Sequence, residues 1–198
     1  MLSEEGKMKK ILSVVLCLCI VFSLTGCIGA KKGEIGNTYT SSNDIEFTLN
    51  EVSFAEIIDG WGGANEDFWK PLDENNCNIG GRWATVEEYA LEHGLKPRND
   101  DDRIVFISYT AKNVSKNDVI IDDIGKLDYD NGYEYTEGSL AFRLTKTAVW
   151  QENNAGLSIK KLNDTEYEFR AYMVVPKQVV ESDKSLTYTL FGYEFTIR

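Results

Sequence analysis

In "EYEFRAYMVVP", residues 166–176, Tyr167, Phe169, Ala171, Met173 and Val175 fall on one side of an extended chain, with Glu168, Arg170, Tyr172 and Val174 on the other. Side chains alternate in this way only at a period of two, so the segment reads as a long strand with one face in a core. The pattern recurs in Ile45, Phe47 and Leu49, followed by Val52 and Phe54. It recurs again in Leu186, Tyr188 and Leu190, and in Tyr193, Phe195 and Ile197. "RIVFISYTAK" (103–112) is apolar almost throughout, as expected of a strand buried on both faces. "DVIIDDI" follows a turn-like Asn113–Asn117, and Asn131-Gly132 stands between the alternating runs of "KLDYDNGYEY". That pair predicts a two-residue hairpin turn with positive φ at both centres. About eight strands separated by turn signals predict an all-β protein, an antiparallel β-sandwich.

The first residues follow a different rule. Lys9 and Lys10 precede an apolar run from Ile11 to Leu24, then Thr25-Gly26-Cys27. A cationic start, a short apolar stretch and small residues before a cut site mark an export signal; the run is short for a membrane-spanning helix. Leu24-Thr25-Gly26-Cys27 resembles the bacterial lipobox. That resemblance implies a leader over 1–26, cleavage before Cys27, and diacylglycerol on the Cys27 thiol, often with a further acyl chain on the new amine. Two or more chains hold a protein stably in a bilayer, each buried methylene contributing about 0.8 kcal/mol. The expected location is the outer side of the cell membrane, with the bilayer as a partner through acylated Cys27. Residues 27–42, rich in Gly, Ser and Thr, read as a lipidated cysteine and flexible tether, with the sandwich over 43–198. Lys31 and Lys32 would favour an anionic leaflet by roughly 1 kcal/mol each.

Cys17 and Cys19 leave with the leader and Cys27 carries lipid, so only Cys77 remains. One cysteine makes no internal disulfide, and a buried, inert thiol is the expectation beside an intermolecular bridge. The exported chain has 172 residues once the 26 of the leader are taken from 198, enough for one domain with a real core. Removing the leader's three lysines and two glutamates from 21 basic and 32 acidic residues leaves a net charge of −12. Such a surface repels phosphate backbones, which argues against nucleic acid as a partner.

The order "IEFTLNEV … VFISYTAKNVSKNDVII … KLDYDNGYEYTEG … EYEFRAYMVVPKQV … SLTYTL" resembles the uncharacterised immunoglobulin-like extracellular domains that follow lipoprotein signals in many bacteria. The likeness covers residues 43–55 and 103–198 and implies an immunoglobulin-like sandwich on the cell surface. It carries over no catalytic or binding residue. The departure is an insert over 56–102, longer than such domains need between strands.

The insert has its own signals. Thr85-Val86-Glu87-Glu88 is a capping box, predicting a helix from Val86 to His93 that stops at Gly94. Val86, Tyr89, Ala90 and His93 share a face that can lie on a sheet. His93, the single histidine, suits the helix's last turn without a catalytic role. "DGWGGANEDFWKPLDENNCNIGGRW" (59–83) holds three of the four tryptophans. Trp61, Trp69 and Trp83 are either a satellite core or a recognition surface, since flat amphipathic rings suit sugars and peptides. Trp83, leading into the capped helix, is expected to pack; Trp61, among Gly60, Gly62 and Gly63, is expected to be exposed.

No catalytic residue, metal ligand set or cofactor motif stands out. One His and one Cys make a poor zinc site, no nucleophile elbow surrounds a serine, and no Walker or dinucleotide loop occurs. "DYDNGYEYTEGS" (128–139) departs from a calcium loop at its glycine and closing glutamate and reads as a hairpin. Asn99–Asp102 and Asp122-Asp123 read as charged strand entrances. The function expected is a surface binding module for an envelope protein or glycan. The alternatives are an envelope hydrolase built on a carboxylate pair and a purely structural envelope protein.

Overall fold

The computed structural model describes residues 30–60, 66–79, 81–145, 149–152, 155–161 and 163–198; the leader and Cys27 lie outside them. Residues Lys31–Arg198 form one compact unit. It is a β-sandwich of two sheets. One has five strands in the order β1 (Lys31–Gly33), β17 (Tyr193–Thr196), β16 (Leu186–Leu190), β10 (Lys126–Tyr129), β11 (Tyr133–Tyr135). The other has six, in the order β13 (Gln151–Glu152), β12 (Gly138–Leu144), β15 (Asn163–Pro176), β8 (Asp102–Asn113), β3 (Ile45–Ala55), β2 (Thr38–Thr40). A short pair, β9 (Val119–Ile121) with β14 (Leu157–Ile159), caps one side.

The alternation does what it predicts. Phe169, Ala171, Met173 and Val175 of β15 enter the core between the sheets, with Val105, Ile107 and Tyr109 of β8 and Tyr188, Leu190 and Phe195 opposite. Tyr109 and Phe169 stack with ring centres 4.8 Å apart. Each side chain of this size, fully buried, stabilises the fold by roughly 1.5–3 kcal/mol relative to exposure. Strand β8 is buried on both faces because Ile104 and Phe106 point to a second cluster on the outer side of the six-stranded sheet. The phase slip from Leu49 to Val52 is a β-bulge: β3 pairs Leu49 with Tyr109 and Glu51 with Ser108, so Asn50 is the extra residue. The bulge resets the parity and lets Val52 and Phe54 face the core again.

Polar groups fix the turns. Tyr109 and Tyr188, both fully buried, donate to the carbonyls of Asp123 (2.9 Å) and Ile124 (2.7 Å). Burial holds both phenols protonated well above their usual range. Gly125, at φ +74°, passes so close to the Tyr188 hydroxyl that any Cβ would collide with it. Asn113 closes the turn after β8, its amide donating to the carbonyls of Asn117 (2.8 Å) and Ile159 (3.1 Å).

Two expectations change. The segment over 27–42 is not all tether, since β1 joins the five-stranded sheet in parallel with β17 and β2 pairs with β3. Three-residue strands carry no periodic signal, and their pairing follows from open sheet edges. Lys32 is ion-paired with Glu194, and Lys31 lies 5.2 Å over the Tyr193 ring, so neither is a free charge. The hairpin between β10 and β11 is a three-residue loop, Asp130–Gly132, closed on the Tyr129–Tyr133 pair. Its positive φ values fall at Asp130 (52°) and Asn131 (54°), and Gly132 stands outside the left-handed region with open space around it. Gly132→Ala should therefore shift stability by no more than about 0.5 kcal/mol in a thermal melt.

The sandwich has two distinct poles. Lys31 enters beside the β16–β17 turn, its amide donating to the Gly192 carbonyl at 3.1 Å. The Tyr193 hydroxyl donates to the Thr40 carbonyl at 3.1 Å, and Phe191 packs on Phe47 at 5.0 Å, so the β2–β3 turn shares that pole. The insert leaves β3 at Ala55 and returns into β8 at Asp102, at the opposite pole. There a short helix, α2 (Lys177–Glu181), follows β15, and the Lys177 amide bonds the Asp101 carbonyl at 2.7 Å.

Candidate binding site on the insert

The insert is built from small pieces that hold one another. β4 (Ile58–Asp59) pairs with β7 (Gly94–Leu95), and β5 (Asn78–Ile79) with β6 (Arg82–Trp83). Between β6 and β7 runs helix α1, Val86–His93, with the expected capping box: the Glu88 amide donates to the Thr85 hydroxyl (3.2 Å) and the Thr85 amide to the Glu88 carboxylate (3.1 Å). Gly94 ends the helix in extended backbone and goes straight into β7. A Cβ there would stand 2.7 Å from the Ala90 carbonyl oxygen.

Tyr89 and Ala90 are the buried residues of α1. The Tyr89 hydroxyl donates to the carboxylate of the fully buried Asp59 at 2.9 Å. Burial and then this bond push the Tyr89 phenol far above its ordinary range. His93 lies against the Tyr89 ring at 4.8 Å, and Cys77 is buried, its thiol pushed up by desolvation and by Asp73 and Asp59. Buried thiols held neutral are poor nucleophiles.

Residues 66–71 carry the aromatic side. Trp69 sits at φ 62°, a conformation bulky side chains rarely adopt, and its amide donates to the Asp59 carbonyl at 2.7 Å. The ring stacks on Phe68 at 4.8 Å and meets the edge of Tyr172 at 4.8 Å. With Ile58, Ile104, Phe106, Ala141 and Trp150 these rings form a dry second core on the outer face of the six-stranded sheet. Under it runs a charged ladder. The guanidiniums of Arg170 and Arg143 lie over the Trp150 ring, at 4.1 and 4.7 Å. Arg143 binds Glu66 and Glu168, each at 2.7 Å. Arg170 donates to the carbonyls of Phe68 and Glu66, the latter at 2.9 Å. Burial lowers the Arg170 guanidinium to about 10, against the pull of Glu168, and Arg143 beside it adds to the effect.

The three insert tryptophans therefore separate. Trp69, a candidate binding residue on sequence, is 3% exposed and packs. Trp83, expected to pack, is 63% exposed. Trp61 lies outside the described residues. The reason for the inversion is local: the 78–83 hairpin turns at Gly81 (φ 89°) and is fastened to α1 by Arg82 to Glu88 at 3.7 Å, leaving the next side chain outside. Leu91, 87% exposed, is on the solvent side of the same helix. Where the insert joins β3 and β8, a cleft of about 280 Å³ opens between Ile57, Lys96, Pro97 and Arg103. Trp150, Arg143 and Arg170 escaped the sequence reading. Their signal was an arginine at an outward position of an otherwise apolar central strand, which needs a cover.

Glu66 and Glu168 both point at Arg143. Among the described residues no three His, Cys, Asp or Glu side chains gather where they could hold a metal ion. No described helix is long and apolar enough to cross a membrane.

No family model and no curated protein matches the chain. Among solved structures it is similar to an uncharacterised β-sandwich protein from Clostridium difficile 630, at 19% identity and a TM-score of 0.53, over 87% of this chain and 98% of that one. The yjhA protein from Bacillus subtilis is matched at 15% identity and a TM-score of 0.34, over 78% of this chain and 80% of that one. What the first of these likenesses establishes is the fold: an all-β sandwich.

Proposed function

We propose that the protein is a lipid-anchored binding module of the cell envelope, held at Cys27, with the sandwich as scaffold and the rim of the insert around Trp83 as the surface that receives an envelope protein or glycan. One observation carries the reading. A tryptophan 63% exposed stands on a hairpin that is fastened to a packed support, while Trp69 and Trp150 of the same region are spent on the core. Tryptophan is over-represented among residues that dominate binding energy, because one rigid ring buries a large area at little entropic cost. The anchor rests on the leader-like run and on Leu24-Thr25-Gly26-Cys27.

Trp83→Ala should leave stability within about 0.5 kcal/mol of the parent and abolish retention of the envelope component that the immobilised parent domain captures. If the variant retains the same component equally well, the rim is not the contact surface. Cys27→Ala should abolish incorporation of labelled fatty acid, because the thiol is the acceptor. Label that persists on the variant contradicts the anchor.

A further inference from the structure

We infer that the sandwich stands on the membrane on its Lys31 pole and carries the insert's exit from β3, with helix α1 tied to it through Tyr89 and Asp59, at the far pole, away from the bilayer. This rests on anchoring at Cys27 and extends it. The observation behind it is that the fold begins at Lys31, which is already paired with Tyr193 in β1. Three residues, Ile28, Gly29 and Ala30, separate Cys27 from Lys31, and the four steps between them, at 3.3–3.6 Å each, reach at most about 14 Å, however they are arranged. A tether running to residue 42 would have let the domain stand far from the bilayer; three residues keep Lys31 within about 14 Å of the anchor.

The distance between the poles follows from strand lengths. β3 spans 11 residues from the Lys31 pole to the point where the insert leaves, about 35 Å at the usual rise. The pole that meets the bilayer is a mixed surface. Ile120 and Val114 are exposed there, 62% and 37%, with Lys116, Lys161 and Lys160 on neighbouring turns, the last paired with Asp118 at 2.9 Å. Asn113 ties those turns together through the Ile159 and Lys160 carbonyls. Exposed apolar tips with lysines on neighbouring turns suit the headgroup layer, where long cationic side chains reach the phosphates. Asp122 and Asp123 lie at the same pole, so net charge does not draw it down; the short connection holds it there. The consequence is that the insert's exit from β3, one strand length from the Lys31 pole, faces away from the membrane.

The test uses the full chain, acylated in a bacterium and reconstituted into phosphatidylcholine–phosphatidylglycerol vesicles doped with lipids bearing a nitroxide on the headgroup. A dye is attached at Asn43→Cys, in the β2–β3 turn, or at Glu87→Cys, on α1; the buried Cys77 stays unlabelled. Strong quenching at 43 and loss of quenching at 87 is the expected result. Equal quenching at both sites, or none at either on protein that resists an alkaline wash, overturns the orientation while leaving the anchor intact. Protein that washes off the vesicles overturns the anchor and this inference together.

Discussion

Trp69→Ala should lower the stability of the domain by about 3–5 kcal/mol, through lost burial and the cavity left behind. The ring is buried against Phe68 and Tyr172, and it holds residue 69 in a left-handed conformation that itself costs on the order of 1–3 kcal/mol. Alanine keeps the strain and removes what offsets it. The site cannot collapse easily, because its floor is the sheet itself: Ile104 and Phe106 of β8 and Ala141 of β12. Urea unfolding of parent and variant measures the difference. A loss below about 1 kcal/mol would mean that the 66–71 segment contributes little to the fold and is displayed rather than packed.

The second large effect is expected at Arg170. Its guanidinium is 2% exposed and bonds the carbonyls of Phe68 and Glu66, lies over Trp150 and approaches Glu168 at 3.5 Å. It is the clamp between the sheet and the start of the aromatic segment. Arg170→Ala should cost about 3–5 kcal/mol, because removing one partner strands the others in a dry place. Arg170→Met should cost much less, since it refills the volume without a buried charge. The Nε of Arg170 has no hydrogen-bond partner among the described residues, which further reduces the net worth of the charge. Equal losses for the two variants would show that the charge, not the filled volume, holds the insert down.

Much of the scaffold could be read from residue order, because each piece of evidence was local. The alternation of β15 and β3, the double burial of β8 and the Thr85–Glu88 capping box follow from spacings of two, three and four residues, and the fold contains them as read. The parity slip at Asn50 was visible too, as a three-residue step between Leu49 and Val52. What was misplaced depended on partners far away in sequence. Lys31–Gly33 has no strand signature of its own and becomes a strand because β17 offers an open edge. Asn131-Gly132 suggested a two-residue turn, and the Tyr129–Tyr133 pairing makes it a three-residue loop with the glycine in ordinary backbone.

The tryptophans show the same limit more sharply. Trp69 and Trp83 have equally mixed neighbourhoods in sequence, with a lysine or arginine adjacent and glycines nearby. What separates them is that Asp59 and Tyr172 receive one and the other is left 63% exposed. Arg170 was legible only as an anomaly, a cation at mid-strand on an outward position. The fold explains it by laying the insert and Trp150 over that face.

The central claim is that the described part of the insert is a packed support that displays the Trp83 ring. Labelling the chain with 5-fluorotryptophan and adding a soluble paramagnetic reagent tests it most directly, with each fluorine signal assigned by single substitution. The account predicts that the Trp83 signal broadens strongly while those of Trp69 and Trp150 stay sharp. A protected Trp83, or a Trp69 signal broadened as strongly as that of Trp83, would contradict it.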